Sequence, residues 1–219
     1  MTEERGPVPT VESPLEASGP GNPPEAMASA MRSIEAAFLL DGQGATLAGA
    51  TEVWLVRHGD CYDGMMGEDP PLSPQGQEQV RRLAHRLNRL HFDAVYSSPL
   101  RRALETARAI RPDVKVDARL VEVRTELEDG HVHPAEAPDQ VLARMRDVVS
   151  DAVAAHPGGR VLMVGHGVAI LGYLCDVLHL EFGTLRLLPY YTSVNIVRVA
   201  GDRRMVGSLA DVAHLEPVS

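Results

Sequence analysis

Cysteine and aromatic residues are scarce in this chain. Two cysteines occur among 219 residues, and Phe, Trp and Tyr together make up 4%. Two cysteines cannot build the disulfide framework on which small secreted domains depend. The longest apolar run, 161–175, contains a histidine and three glycines and is shorter than the roughly 18 apolar residues that a spanning helix needs. We therefore expect neither a disulfide scaffold nor a membrane protein, and we expect a reducing, cytoplasmic setting.

Positive charge is also in short supply. The formal net charge is −9, and lysine occurs once among 21 basic residues. A general nucleic-acid binder needs excess cations to neutralise phosphates, so no nucleic-acid partner is expected. The chain opens with Glu3, Glu4 and several prolines where a secretory signal has basic and then apolar residues. No such signal is predicted.

The N-terminal part differs in composition from the rest. Residues 1–26 are rich in proline and glycine and hold few large apolar side chains, which predicts a disordered tail. Within 27–50, the apolar residues Met31, Ile34 and Phe38 recur at helical spacing, which predicts an amphipathic helix followed by a linker. This helix either docks on its own domain or packs on a second subunit, which would make a homodimer.

From residue 51 to residue 219, short apolar runs alternate with longer helical patterns. This alternation is typical of βαβ units, and we predict a doubly wound α/β domain with a mostly parallel sheet and helices on both faces. The predicted strands span 53–56, 94–97, 114–116, 161–164, 194–199 and 205–209, and the predicted helices begin at Pro74, Pro99, Pro138 and Val168.

Three of the predicted strands end in unusual segments. They are Arg-His-Gly at 57–59, Ser-Ser-Pro-Leu-Arg-Arg at 97–102 and Gly-His-Gly at 165–167. Ligands of doubly wound sheets bind beyond the carboxyl ends of the strands, so we expect these side chains to meet at one edge. A neutral imidazole can attack phosphorus, arginines can hold phosphate oxygens, and the helix start at Pro99 would attract an anion. The segments together predict a phosphoryl-transfer site with a histidine nucleophile.

Four motifs in this order resemble the histidine phosphatase superfamily, also called the phosphoglycerate mutase-like family. The resemblance covers 52–215 and implies a three-layer sandwich and a phosphatase that needs no metal or cofactor. It implies that His58 becomes phosphorylated and that another catalytic residue is a glutamate that donates a proton, for which Glu122 is the match. The motifs are Leu-Val-Arg-His-Gly at 55–59, Leu-Ser-Pro-Gln-Gly at 72–76 with Gln79, Ser-Ser-Pro-Leu at 97–100 with Arg102, Ala103, Thr106 and Ala107, and Val-Gly-His-Gly at 164–167. The phosphate is expected to be surrounded by Arg57, Arg102 and His166, the last of which is also expected to be catalytic.

The chain departs from the family pattern where substrates are chosen. Asp60 stands where the family often has Glu or Gln, and the run after the expected acid differs, so Glu126 is the alternative proton donor. We expect Tyr62, Arg124 and His131 to flank the phosphate of a small phosphorylated substrate. Their mixed chemistry selects no particular metabolite.

Several functions compete with that of a simple phosphomonoester hydrolase. A mutase is disfavoured because only a short loop separates Glu122 from Pro138, and a phosphatase of phosphohistidine proteins is suggested by the Arg-His-Gly-Asp opening. Outside the family, a metallohydrolase could be built on His58 with three further residues, and a non-catalytic binding module could use the N-terminal helix. The three further candidate metal ligands are Asp60, His131 and His133.

Overall fold

The computed structural model describes residues 49–62, 69–123, 125–128, 131–181, 184–187 and 189–216. These residues belong to one compact unit, Thr46–Ser219. The predicted tail and amphipathic helix lie outside the described residues, so the domain division and the homodimer stay predictions. In the described ranges, no helix is long and apolar enough to span a membrane.

Eight strands and four helices are present in the described part of the chain. The helices are α1 (Pro74–Leu87), α2 (Arg101–Ile110), α3 (Pro138–Ala155) and α4 (Gly167–Val177), and short 3-10 turns occupy Ala118–Leu120 and Ala213–Leu215. The strands are β1 (Thr51–Arg57), β2 (Ala94–Ser97), β3 (Lys115–Val116), β4 (Thr125–Glu128), β5 (His131–Pro134), β6 (Arg160–Gly165), β7 (Val194–Ala200) and β8 (Arg203–Asp211).

Six strands form one sheet in the order β3-β2-β6-β1-β7-β8. The first four are parallel to one another, whereas β7 is antiparallel to both of its neighbours, β1 and β8. This arrangement confirms the predicted mostly parallel, doubly wound sheet. Arg57 lies opposite Gly165, and Ser97 lies opposite Val164, so the strands that carry the three unusual segments end side by side at the centre of the sheet.

The two faces of the sheet are covered by different helices. Val53 and Leu55 of β1 pack with α3 and α4, whereas Trp54 and Val56 pack with α1 and α2. Successive side chains of a strand point to opposite faces, so a strand covered on both sides reads as a continuous apolar run. The observed fold is therefore the expected three-layer sandwich.

The helix starts agree with the sequence analysis at one position and differ at another. As predicted, α1 begins at Pro74, and the side chain of Ser73 accepts the N–H of Gly76 at 3.0 Å. The predicted start at Pro99 is wrong. The Ser98 N–H still donates to the Val164 carbonyl at 2.9 Å, which prolongs the sheet, and α2 begins only at Arg101.

The expected anion site at the start of α2 also needs correction. The Arg101 N–H donates to both carboxylate oxygens of Asp69, at 2.8 and 3.0 Å. A negative charge is favoured at a helix N-terminus, and here the chain supplies that charge itself. The helix start is consequently not an empty anion site.

The short segment between Glu122 and Pro138, predicted as a loop, contains regular structure. The segment holds the antiparallel hairpin β4–β5, in which Glu128 lies opposite His131. The missed signal is Asp-Gly at 129–130, a dipeptide typical of two-residue hairpin turns. Glu122 itself follows the 3-10 turn at 118–120 and not the end of a strand.

The second motif, at 72–79, clamps the loop that follows β1. The Ser73 N–H donates to the Asp60 carbonyl at 3.0 Å, and the Asp60 N–H donates to Gln79 Oε1 at 2.9 Å. The Ser73 hydroxyl donates to the Asp60 carboxylate. Gly76 lies so close that an added Cβ would be 1.9 Å from the Asp60 carbonyl oxygen. This motif therefore holds the loop after His58 in place.

We expect the Gly76→Ala substitution to lower the free energy of unfolding by about 1–3 kcal/mol, because the clash with the backbone of Asp60 forces the loop to move. Urea denaturation measures the change. Gly207→Ala is the matched control, since its added Cβ would find its nearest atoms at 3.7 Å, an ordinary contact. Equal stabilities of the two variants would contradict this account of the motif.

Candidate active site

His58 follows β1 and has only 4% of its surface exposed. Its Nδ1 lies 2.7 Å from the Gly59 carbonyl oxygen, and the Nε–H of Arg102 points to its Nε2 at 3.2 Å. A carbonyl can only accept and an arginine can only donate, so Nδ1 carries the hydrogen and Nε2 carries the lone pair. The nucleophilic nitrogen therefore lies beside a guanidinium.

The charge state of His58 follows from its surroundings. Burial lowers its pKa to about 3, opposed by the hydrogen bond to Gly59 and reinforced by the charges of Arg102 and Arg57. Neither arginine loses its proton in a protein, so the imidazole is the group that stays uncharged. His58 is neutral at physiological pH, which is the form able to attack an electrophile.

Thr106 in α2 connects the third motif to the first. Its Oγ1 accepts the Gly59 N–H at 3.1 Å and donates to the Arg102 carbonyl at 2.7 Å. Arg102 Nη1 lies 3.7 Å from a carboxylate oxygen of Asp69. The first turns of α2 thus fix both the loop after His58 and the arginine next to it.

His166 follows β6 and is fully buried. Its ring centroid lies 5.0 Å from that of His58, and its Nε2 lies 2.9 Å from the Ser98 hydroxyl. Ser98 Oγ also accepts the Leu100 N–H at 3.3 Å, and it keeps a hydrogen and a second lone pair for the contact with Nε2. Burial, followed by His58, Arg102 and Arg57, lowers its pKa to about 2.

Two buried nitrogens of this cluster have no hydrogen-bond partner among the described residues. They are His166 Nδ1 and Arg57 Nε. Leaving a buried polar group unpaired costs about 1–3 kcal/mol, so two such groups next to His58 are consistent with a site that a ligand completes. Arg57 Nε–H can only donate, and a donor suits an anion.

Arg57 is held between residues of the last loop before β7. Its Nη1 donates to the Pro189 carbonyl, and its guanidinium carbon lies 3.9 Å from the centroid of the Tyr191 ring. An added Cβ at Gly167 would be 3.2 Å from Pro189 Cγ, a tight contact, and 3.4 Å from Arg57 Nε. The glycine after His166 therefore allows the loop that contains Pro189 to pack closely beside it.

Glu122 lies at the first turn of α4, the helix that His166 caps. Its carboxylate accepts the N–H groups of Val168 and Ala169 at 3.2 and 3.1 Å, in addition to that of Val123 at 3.0 Å. The positive end of a helix favours a carboxylate. Tertiary structure thus brings Glu122 to the same sheet edge as His166, while the side chain of Glu126 lies outside the described residues.

Of the three residues expected to flank the substrate, the structure describes the side chain of one. Tyr62 is 40% exposed and lines a groove of about 580 Å³ between α1 and α2, together with Leu72 and Arg101. Arg124 lies outside the described residues, and of His131 only the backbone, in β5, is described. Tyr191 was missed by the sequence analysis, although paired tyrosines are conspicuous in a chain with 4% aromatic residues.

The metallohydrolase alternative finds little support near His58. No group of three His, Cys, Asp or Glu side chains able to hold a metal ion occurs among the described residues. The side chains of His131 and His133 lie outside the part of the chain that the structure describes. Of the candidate ligands, His58 lies beside the positive charges of Arg57 and Arg102. The Asp60 carboxylate accepts a hydrogen bond from the Ser73 hydroxyl. Both of these candidate metal ligands therefore have other partners.

The low pKa of His166 predicts how stability depends on pH. Between about pH 6.5 and 2 the unfolded chain binds a proton at this residue that the folded chain excludes, so the folded state loses stability as the pH falls. Between pH 7 and pH 5.5, we expect the free energy of unfolding of His166→Gln to fall by about 1 kcal/mol less than that of the unsubstituted chain. Urea denaturation at both values measures this difference.

His91→Gln is the matched control, because it removes a histidine whose side chain is 84% exposed. It should leave the pH dependence close to that of the unsubstituted chain. If His166→Gln also left it unchanged, the buried imidazole would not be neutral in the folded protein.

Comparison with known proteins gives a consistent result. The model of the histidine phosphatase superfamily (branch 1) matches residues 53–212. A probable phosphoglycerate mutase GpmB of Enterobacter sp. (strain 638) is 27% identical over 199 residues, which cover 69% of this chain and 93% of the relative. Phosphoserine phosphatase 1 of Hydrogenobacter thermophilus is 28% identical over 197 residues, with 74% and 92% covered.

A solved structure agrees with these sequence relatives. Bacillus stearothermophilus YhfR superposes with a TM-score of 0.65 at 28% identity, covering 76% of this chain and all of that one. The family match includes all three strand ends at which the buried histidines and arginines meet. This chain therefore belongs to the histidine phosphatase superfamily, a family of enzymes.

Proposed function

We propose that this enzyme hydrolyses small phosphomonoesters through a phosphohistidine formed on Nε2 of His58. The observation that carries the proposal is the neutral imidazole, whose Nδ1–H is bound by the Gly59 carbonyl and whose Nε2 lone pair faces Arg102. Phosphatases among the relatives support it. The proposal needs no metal or cofactor, and a cytoplasmic location fits the scarcity of cysteine.

In the first step, Nε2 of His58 attacks phosphorus in line while the bond to the leaving oxygen breaks. Glu122 is proposed to donate a proton to that oxygen, so the leaving group departs as an alcohol. The imidazole becomes positively charged, and the Gly59 carbonyl, which accepts its Nδ1–H at 2.7 Å, stabilises that charge. Arg57 and Arg102 neutralise the charge on the transferred oxygens.

In the second step, water attacks the phosphohistidine. The carboxylate of Glu122 accepts a proton from the water, the bond between nitrogen and phosphorus breaks, and inorganic phosphate leaves. His58 returns to its neutral form, and Glu122 is again protonated for the next turnover. Two nitrogens, His166 Nδ1 and Arg57 Nε, have no partner in the described part of the chain. We propose that Nδ1 carries the ring hydrogen of His166 and that both nitrogens donate to phosphate oxygens during both steps.

A second candidate is transfer of the phosphoryl group to another oxygen of the same substrate. The name of the GpmB relative, a probable phosphoglycerate mutase, supports it. The part of the substrate outside its phosphate is proposed to contact Tyr62, Arg124 and His131. A phosphohistidine protein is an alternative substrate.

We expect acid-labile, base-stable phosphate to accumulate on His58 when the protein is quenched during turnover of a labelled phosphomonoester. Peptide mapping locates the label. His58→Ala should lose the label together with activity, whereas His91→Ala should keep both, because His91 is an exposed residue of the loop before β2. Label on a serine or on Cys61 would refute the mechanism.

A substrate panel separates the two candidate functions. With phosphoserine, 3-phosphoglycerate, sugar phosphates and a phosphohistidine protein, we expect phosphate release to exceed isomerisation for every substrate. Arg57 and Arg102 would both bind the transferred phosphoryl group. Hydrolysis then requires only a water molecule, whereas isomerisation also requires the rest of the substrate to be held and reoriented. Conversion of 3-phosphoglycerate to its 2-isomer faster than phosphate release would favour the mutase instead.

A further inference from the structure

The loop before β7 is attached to the backbone of the proposed nucleophile. The Thr192 N–H is shared between the carbonyls of Arg57 and His58, at 3.1 and 3.2 Å, and the Arg57 N–H donates to the Ser193 carbonyl at 3.2 Å. The side chain of Arg57 also donates to the Pro189 carbonyl in the same loop. The end of β1 is thus held by hydrogen bonds from one loop.

Thr192 has an unusual backbone conformation, with φ at 59°. A β-branched residue in the left-handed region is strained and persists only where its surroundings hold it. The Thr192 hydroxyl donates to the Tyr191 carbonyl at 2.6 Å, and its oxygen lies 2.9 Å from His214 Nε2. Thr192 is fully buried, so these bonds are shielded from water.

His214 connects Thr192 to the last turn of α1. Its Nδ1 lies 3.5 Å from Arg86 Nη1, and Arg86 forms a two-pronged ion pair with Asp211. Burial and the charge of Arg86 lower the pKa of His214 to about 4, so the ring is neutral at physiological pH. Because Nδ1 faces a donor, Nε2 carries the hydrogen and donates it to Thr192. The hydrogen bonds therefore run in one direction from Arg86 to Tyr191.

The left-handed residue comes directly after Tyr191, whose ring touches the two central residues of the site. The guanidinium carbon of Arg57 lies 3.9 Å from the ring centroid, and the His58 ring lies 5.6 Å away at an angle of 53°. A cation on the face of an aromatic ring is attracted by its quadrupole. The ring therefore limits the movement of Arg57 and occupies none of its hydrogen-bond donors, of which Nε–H has no partner in the described part of the chain.

We propose that Tyr191 and Thr192 are positioning residues, which hold Arg57 and His58 in the arrangement that binds phosphate. Thr192, held by His214, shapes the turn, and the ring of Tyr191 keeps the guanidinium in place before phosphate arrives. This inference rests on the proposed function, because it assigns phosphate to the site around His58. Neither residue belongs to the four motifs from which the family resemblance was recognised.

The first test replaces the ring. Binding of inorganic phosphate, measured by calorimetry, should weaken about tenfold in Tyr191→Leu, as expected for a partly buried cation–π contact, and less than twofold in Tyr191→Phe. Tyr190→Leu is the matched control, since Tyr190 is the neighbouring residue and is 55% exposed. Its phosphate affinity should equal that of the unsubstituted protein.

The second test addresses the turn. Thr192→Val keeps the side-chain shape but loses the hydroxyl, and we expect weaker phosphate binding, whereas Thr192→Ser should restore it. Melting followed by circular dichroism accompanies each measurement. A lower melting temperature of Thr192→Val with unchanged phosphate affinity of the folded protein would show a purely structural role and overturn the inference for this residue.

Equilibrium binding separates this inference from the proposed mechanism. Tyr191→Leu with the phosphate affinity and kcat/KM of the unsubstituted protein would overturn the positioning role, even if His58 is the nucleophile. A protein that binds phosphate through Arg57 and Tyr191 but forms no phosphohistidine would overturn the mechanism and support the positioning role. An unsubstituted protein that does not bind phosphate would overturn both.

Discussion

Burial of two imidazoles beside two arginines is the constraint on which the site depends. His58 and His166 lie side by side at the ends of β1 and β6, where bringing a charged group out of water is costly. The two arginines stay protonated, so the two imidazoles are the groups that are uncharged in the folded protein. The site therefore combines an uncharged nucleophile with a positive field, which matches a negatively charged electrophile.

The surrounding structure keeps this arrangement in place from several sides. Gln79 and Thr106 bind the loop after His58 from α1 and α2, and Gly76 lets that loop approach α1 closely. Thr192 binds the same strand end from the loop before β7. Several residues of the family motifs thus work as supports, since a preorganised site needs its reactive groups held rigidly by their neighbours.

Much of the fold could be predicted from the sequence, because the helix and strand signals of the core are local. The strand 94–97 appears with the predicted bounds, and the helices at Pro74 and Pro138 begin where they were predicted to begin. The start of α2 could not be predicted in this way. Ser-Pro at 98–99 has the local chemistry of a helix start, but a sheet hydrogen bond from Ser98 to Val164 delays the helix by two residues.

For the site itself, the sequence alone determined which residue types end the central strands, and hence that histidines and arginines meet where a phosphate could bind. The pairing of β1 with β6 decided which of them touch, and burial decided that both imidazoles are neutral. Tyr191, Thr192 and His214 became visible only in the tertiary structure. They come from the loop before β7 and from the 3-10 turn at 213–215, more than 130 residues after His58, and contacts between residues so distant in the chain leave no local pattern.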